Sequence, residues 1–462
     1  MRIRVLVASA AIVLVSAPLS GLAAQEVFPL DCDTCEQQPN PALAAAEVAL
    51  INVVVNVFNR VTRGEEGEFA YVSPASWQRN IEIGWEFDDN NFSTNMFAHP
   101  YHGSTYYSAA RSNGMNFWES APFAFGGSLM WEYLGETHLP APNDFIATSV
   151  GGIALGEMLH RTSNLVLDNE ATGGSRIWRE LAGTLLNPVR GFNRLIHGDM
   201  GRVGANPPDR FPSRIRSLWD FGGRPVTDSV GEQERHFFAN FNLWYGDPHN
   251  GDIKKPFNSF ELRLQLNAAD KSAIGRLQVL GTLYGDQLSS EESQQDPSKT
   301  NHIFAVTQHY DYLENQAFEL GGNALGMGLL SRWPVSESFS LTSRLIGSFV
   351  LLGGIRSPYA EVSGRTYDFG TGLGLQTYIM GWHKGRQVLE LLYWGEHLQV
   401  IDGSPGNHTV HIFGATARFP IAFFGIGASV THAIRDGNFR DFPDITETGT
   451  RVGILLTFFT DR

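Results

Sequence analysis

The sequence predicts an α+β protein, in which a small N-terminal helical domain precedes an antiparallel transmembrane β-barrel of about twelve strands. Three observations predict it. The chain opens with two arginines and a short apolar run of the export-signal kind. Residues 42–205 carry apolar, small and polar residues at three- and four-residue spacing. From about His236 to Phe459 the apolar residues recur at every second position instead. Composition agrees: only 18% of the 462 residues are charged and 12% are aromatic, unusual for a cytosolic enzyme. The formal net charge of −14 excludes a nucleic-acid binder, because phosphate binding needs a basic face.

Residues 1–24 read as a signal peptide. Arg2 and Arg4 supply its positive end, Val5 to Val15 its apolar stretch, and Ala24 the small residue at the cleavage region. The alternative is a retained anchor, for which that apolar run is short. Residues 25–41 form a polar leader holding the two cysteines, Cys32 and Cys35. In an oxidising periplasm these read as a small-ring disulfide. A redox pair would need a strand before it and a helix after it, and two cysteines are too few for a closed zinc site. No later segment reads as a transmembrane helix, since Glu47, Asn52 and Asn56 interrupt the most apolar one, Leu43 to Phe58.

Within the helical domain, Leu43 to Arg60 predicts a first helix with Asn52, Asn56 and Asn59 on one face. That face is either a solvated edge or a buried hydrogen-bonding stripe, and the surrounding Val, Ile and Leu favour burial. A Trp-bearing stretch, Trp77 to Asp89, reads as extended. Pro100 suits a helix start, with His102, Tyr106 and Ala109 on one stripe. A second helix, about Ala121 to Glu136, sets Glu132 and Glu136 one turn apart. A third runs from an N-cap at Asn143 or Asp144 to about Arg161, with Thr148, Gly152 and Gly156 at every fourth residue. Small residues so spaced let another helix approach closely. A fourth spans Ser175 to Leu186.

Residues 206–462 read as the barrel. Phe260, Leu262, Leu264 and Leu266 alternate with Glu261, Arg263, Gln265 and Asn267, and similar alternation recurs in about eleven segments. Arg214 to Asp220 is the weak candidate for a twelfth, which an even strand count would require. Trp244, Tyr245, Tyr284, Trp333, Tyr378, Trp382 and Trp394 lie near strand ends, as interfacial girdles do. A soluble sandwich shares the alternation, but strand length and the export signal favour the outer membrane.

Chemistry concentrates in the helical domain. His99, His102, Glu132, Glu136 and Asp144 are candidate catalytic residues, with histidine and carboxylate as base or acid. His99, His102, Glu132, Glu136 and Glu157 are candidate ligands of a divalent metal, the cofactor being otherwise undefined. The competing reading is a buried polar network that fixes helix packing. Glu157 and His160 form a single Glu-x-x-His, half of a di-iron motif that needs two copies. The nucleophile elbow, the phosphate-binding loop and His-Glu-x-x-His are absent from the sequence.

Six pieces occur in order between residues 70 and 200: His99-Pro-Tyr-His-Gly103, Ala110-Arg-Ser-Asn-Gly114, Trp131-Glu-Tyr133, Glu136, Asn143-Asp144 and Gly151-Gly-Ile-Ala-Leu-Gly-Glu157. This segment resembles an uncharacterised bacterial family, a domain of unknown function that often precedes an outer-membrane barrel. His160 stands where that family is expected to carry tyrosine. The order of histidine, glutamate, aspartate and Gly-x-x-x-Gly is more loosely similar to VanZ-type membrane proteins. The family resemblance implies architecture and a place in the Gram-negative cell envelope, and no activity.

The expected function is therefore an outer-membrane barrel whose helical domain, periplasmic or within the barrel mouth, plugs or braces it. The alternative is a hydrolase acting on an envelope lipid or cell-wall component through the His/Glu/Asp cluster. The sequence leaves open whether the chain is an enzyme. Expected partners are outer-membrane lipid and, during biogenesis, the barrel-assembly machinery.

Overall fold

The computed structural model describes residues 38–460 apart from 208–209, 228–232, 269–271, 297, 315–318 and 361–363. The signal segment and the Cys32/Cys35 disulfide lie outside the described residues. The chain divides into two units, one ending at Phe211 and the other beginning at Pro212.

The first unit is helical. Helix α1 (Pro41–Thr62) starts where the Asn40 side chain accepts the Leu43 N–H. It buries Glu47, Asn52, Asn56 and Asn59 and exposes Leu50, Val53, Val54, Val57, Phe58 and Val61. The asparagine stripe is thus an interior one. Contrary to the sequence reading, α1 is long and apolar enough to cross a membrane by length and composition. Its interrupting polar residues share the buried face, which leaves the other face uniformly apolar. Asn56 Nδ2 donates to the carbonyls of Ala70 and Gly135, both at 2.8 Å. Those carbonyls end two tight turns, a 3₁₀ turn (Gly64–Ala70) and a π-helical turn (Trp131–Gly135), where helix ends leave backbone acceptors open.

Pro74 to Ile83 is a helix, α2, rather than the extended stretch expected from its tryptophans. Ser73 and Ser76 cap it reciprocally and Pro74 opens its first turn, a local signal stronger than aromatic content. Helix α3 (His99–Ser112) continues a π-helical turn (Thr94–Ala98), so Pro100 lies inside a longer rod rather than at its start. Helix α4 (Phe117–Met130) runs into the π-helical turn that holds Glu132, after which Glu136 is extended. Helix α5 (Pro142–Ile146), a π-helical turn (Ala147–Gly151) and α6 (Gly152–Val166) form the third rod. Its N-cap is Ala141, not Asn143 or Asp144, because Pro142 takes the first helical position. Helices α7 (Gly173–Leu186) and α8 (Pro188–Ile196) complete the unit.

The small-residue row does what its spacing predicts. A Cβ on Gly103 of α3 would lie 1.7 Å from the Thr148 carbonyl oxygen, and one on Gly152 would lie 2.5 Å from the Gly103 backbone. Only glycine permits this crossing.

The second unit is a closed antiparallel barrel of twelve strands. They are β1 (Ile215–Thr227), β2 (Gln233–Tyr245), β3 (Phe260–Ala268), β4 (Ile274–Gln287), β5 (Asn301–Glu314) and β6 (Glu319–Ser336), followed by β7 (Phe339–Arg356), β8 (Tyr367–His383), β9 (Arg386–Asp402), β10 (Gly406–Ile421), β11 (Phe424–Phe439) and β12 (Ile445–Phe459). The weak sequence candidate is β1, which closes the cylinder by pairing with β12, Leu218 opposite Phe459.

Alternation sorts the side chains. Leu325, Met327, Phe349, Leu373, Phe419 and Ile454 point outward and are exposed. Glu261, Arg263, Arg344, Glu390 and Arg418 point inward and are buried. The lumen is bridged from wall to wall. Arg263 on β3 binds Glu390 on β9 through two hydrogen bonds of 2.7 and 3.1 Å, across half the circumference. Arg344 reaches Glu261 at 2.6 Å, and Arg418 holds Asp220 at 2.6 and 3.0 Å. Ile253, from the connection between β2 and β3, packs against Ile303, Ala305, Leu330 and Ile346. Toward the end opposite the barrel's termini, Leu320, Val350, Ile355, Trp394 and Leu398 form an apolar cluster.

The girdle expectation is corrected for Trp244, Tyr378, Trp382 and Trp394, which face the interior, Trp244 packing edge-on against Trp382. Period two puts them on the same face as Met380 and Ile412, not with outward Ile379. There Tyr378 lies under the guanidinium groups of Arg263 and Arg344, at 4.4 and 4.1 Å.

Candidate functional site

The three π-helical turns of the helical unit all border one buried centre. One precedes His99, one holds Glu132, and one holds Thr148. An i→i+5 turn inserts a residue and re-aims the side chains beyond it, and such turns recur at functional sites. Here Glu132, Glu136 and Asp144 each bring a carboxylate oxygen within 4.8 Å of the others. His99 joins them, its Nε2 3.4 Å from Asp144 Oδ2.

Neighbours hold each group in place. Glu132 Oε2 accepts the Ala141 N–H at 2.9 Å. Asp144 Oδ1 accepts from Asn143 Nδ2 at 2.8 Å. The Trp131 side chain hydrogen-bonds Glu136. Thr148 Oγ1 lies 3.3 Å from His99 Nδ1. Asn80 donates to the main-chain carbonyls of both Glu132 and Glu136.

Burial dominates the electrostatics. It pushes the Glu132 and Asp144 carboxyls well above the usual range, and neighbouring carboxylates add to the effect. Glu136 is pushed up to about 8 by burial and by Asp88. Burial also lowers the basicity of His99, against the opposing pull of Asp88. Such a centre can hold protons as neutral carboxylic acids or surrender them to a cation.

The sequence candidates separate on this geometry. His99, Glu132, Glu136 and Asp144 come together. His102 turns to the Tyr106 hydroxyl, 2.8 Å from its Nε2, and packs edge-on to Trp131. Burial drives it down to about 3, so it is a neutral imidazole. Glu157, read from sequence as a metal ligand, is held by Arg111 Nε and Arg161 Nε, both at 2.8 Å, and by the Tyr107 hydroxyl at 2.8 Å. Burial would raise its carboxyl, but the two guanidinium groups hold it below the ordinary range. That charge is already balanced by the two arginines, which sets Glu157 apart from Glu132, Glu136 and Asp144. His160 lies in the same arginine-rich neighbourhood, kept neutral by burial and by Arg111, Arg190 and Arg161.

Asp88 escaped the sequence reading. It accepts from Asn95 Nδ2 at 2.8 Å and Asn143 Nδ2 at 2.7 Å, beside the centre. It sits in an irregular stretch with no periodicity to mark it, and only the amide-bearing residues around it offered a signal.

The architecture thus defines a class of protein, a polar-cored helical unit ahead of a closed twelve-strand barrel. Residues 84–189 match a domain of unknown function, DUF3943. No curated protein matches the chain. Among solved structures, the NanC porin is 9% identical, covering 53% of this chain and 100% of its own, with a TM-score of 0.27. The KdgM porin is 9% identical over 52% and 98%, with a TM-score of 0.24. The COG4313 outer membrane channel from Pseudomonas putida F1 is 9% identical over 55% and 100%, with a TM-score of 0.23.

Proposed function

We propose that the chain is an outer-membrane β-barrel protein whose barrel is a closed anchor, and whose helical unit is the working part on the periplasmic side. A cylinder with apolar side chains outside and ionised ones inside suits a bilayer, because closure leaves no strand edge in hydrocarbon. Its strands of 13 to 18 residues, β3 excepted at 9, are long enough to span one. An even strand number returns both barrel termini to one side, so the chain passes from the helical unit into the barrel on that side.

The observation that carries the reading is the Arg263–Glu390 bridge between opposite walls. An open pore needs a continuous water path, whereas these side chains meet in the middle. The barrel fills itself, so a plugging role for the helical unit is not needed. Purified folded protein in a planar bilayer is expected to give no steady unit conductance. Reproducible channel steps from the intact chain would end this reading. Outer-membrane fractionation, with a heat-dependent mobility change in detergent gels, tests the location.

The convergence of His99, Glu132, Glu136 and Asp144 favours a second reading, hydrolysis of an envelope lipid or cell-wall component. On that reading Glu132→Gln leaves a folded barrel but reproduces the envelope defect of a gene deletion. A fully functional Glu132→Gln strain counts against it.

A further inference from the structure

We propose that Glu132, Glu136 and Asp144, with His99 beside them, bind a divalent first-row metal ion. Such a site goes beyond the anchor reading and does not depend on whether the barrel conducts.

Two independent features point to a ligand. The first is spacing. Carboxylate and imidazole donors sit about 2.0 to 2.6 Å from a divalent ion, so donors on opposite sides of one are about 4 to 5 Å apart. The three carboxylates offer oxygens within 4.8 Å of one another. The second is an orphaned atom. Glu132 is fully buried and commits Oε2 to the Ala141 N–H, while its Oε1 has no hydrogen-bond partner. A buried carboxylate oxygen left so is costly unless a cation or proton meets it. Asn80, also fully buried, leaves its Oδ1 unpartnered while its Nδ2 holds the main chain of Glu132 and Glu136.

Charge makes the same point by contrast. Glu157, twenty-five residues after Glu132 in sequence, is neutralised by two arginines. Among the described residues no lysine or arginine forms an ion pair with Glu132, Glu136 or Asp144, and His99 is the one basic group recorded against them. Three buried carboxyls without a resident cation are arranged for a supplied one.

The donor set narrows the ion. Carboxylate oxygens with one imidazole suit manganese, ferrous iron or zinc, and lack the thiolates that soft copper prefers. A buried, protein-lined position suits magnesium less well, since that ion keeps several waters. The supporting layer is already built. Thr148 orients His99, Asn143 holds Asp144, and Trp131 holds Glu136, as outer partners do in metal sites.

The test uses the full chain, folded in detergent and stripped with a chelator. Manganese, ferrous iron and zinc are offered singly under anaerobic conditions, and bound ion is measured by elemental analysis after desalting. Wild-type protein is expected to retain one ion per chain and to melt at higher temperature when loaded. Asp144→Asn and Glu132→Gln are expected to weaken binding more than about tenfold. Glu157→Gln, which disturbs the arginine cluster instead, is expected to keep the ion. Wild-type protein that takes up none of the three ions overturns the proposal. Equal retention by wild type and by both ligand variants also overturns it, by showing the ion to be bound elsewhere. Should a ligand variant fail to fold, the wild-type uptake and melting measurements still decide.

Discussion

His160 and Glu157 lie one turn apart on α6, yet neither reaches the carboxylate centre, because Arg111 and Arg161 face them from α3 and from α6 itself. Burial, Arg111, Arg190 and Arg161 hold His160 well below its ordinary 6.5, so folding keeps it neutral while the unfolded chain takes up a proton. Stability from such a group is present above 6.5 and is lost as pH falls toward the lowered folded value. The stabilisation that His160 contributes is therefore expected to disappear between about pH 7.5 and 5, so the melting difference between wild type and His160→Gln should narrow across that range. An unchanged pH profile in the variant would contradict the account. His99 and His102, also lowered by burial, act in the same direction, whereas Glu132, Glu136 and Asp144, raised by burial, act in the opposite one. At this scale the sequence marked Glu132, Glu136, Asp144 and His99, since acid and imidazole side chains on apolar helices have few other uses. It did not distinguish them from Glu157 and His102. Spacing tells which face a residue occupies on a regular helix, and each π-helical turn rotates the face presented beyond it. Asp88 was invisible for the opposite reason, having no helix to give it a phase.

Among the elements, the closest contact is the crossing of α3 over α6 at Gly103 and Gly152. Gly103→Ala places a methyl group against backbone that has no room to move, and overpacking of this kind costs typically about 1 to 3 kcal/mol or more. The helical unit of that variant is expected to melt early while the barrel keeps its heat-dependent mobility. Asn56→Leu makes a related point, since it takes the Asn56 donor from the Gly135 carbonyl in the interior, while the Ala70 carbonyl keeps Arg60 Nε at 2.6 Å. A loss of about 1 to 3 kcal/mol is expected, read as a lower denaturation midpoint for helical circular dichroism. A wild-type midpoint would mean that water reaches the Gly135 carbonyl. The glycine spacing and the asparagine stripe were both legible, because a small residue at every fourth position and a polar row on an apolar helix have direct structural meanings. Helix α2 differs from the extended stretch expected from Trp77 to Asp89, because the serine–proline start ahead of the tryptophans nucleates a helix. Strand β1 was faint because glycines and a proline dilute its alternation; its partner β12 shows what closes over it.

For the molecule as a whole, polarity is distributed twice in the same unusual sense. The barrel keeps its buried charges inside and an apolar face outside, and α1 does likewise with asparagine and valine. Inside the barrel the ion pairs are interdependent. Asp220→Ala removes the carboxylate that Arg418 binds at 2.6 and 3.0 Å, leaving a buried guanidinium with Gln387 as its remaining recorded acceptor. Breaking one side of such a pair costs about 3 to 5 kcal/mol. The unfolding temperature in detergent gels should drop in Asp220→Ala, and recover in part when Arg418→Leu is added. Failure of the second change to restore anything would show that Asp220 acts through Thr457, whose hydroxyl it also binds at 2.6 Å. Barrel and strand count were readable because alternation is repeated in strand after strand. The filled lumen was not, since no local pattern reveals which arginine meets which glutamate from strands as distant as β3 and β9.

The junction of β1 with β12 sets a timetable for biogenesis. Thr460 bonds Ser217, 243 positions earlier in the chain, and Asp220 meets Thr457 beside it. Until that distal stretch has been made, the opening strand can pair with β2 along one edge only and leaves the other unpaired. Contacts so remote in sequence form slowly. A cylinder stitched at that seam therefore closes late, with β1 and β12 the edges left open longest.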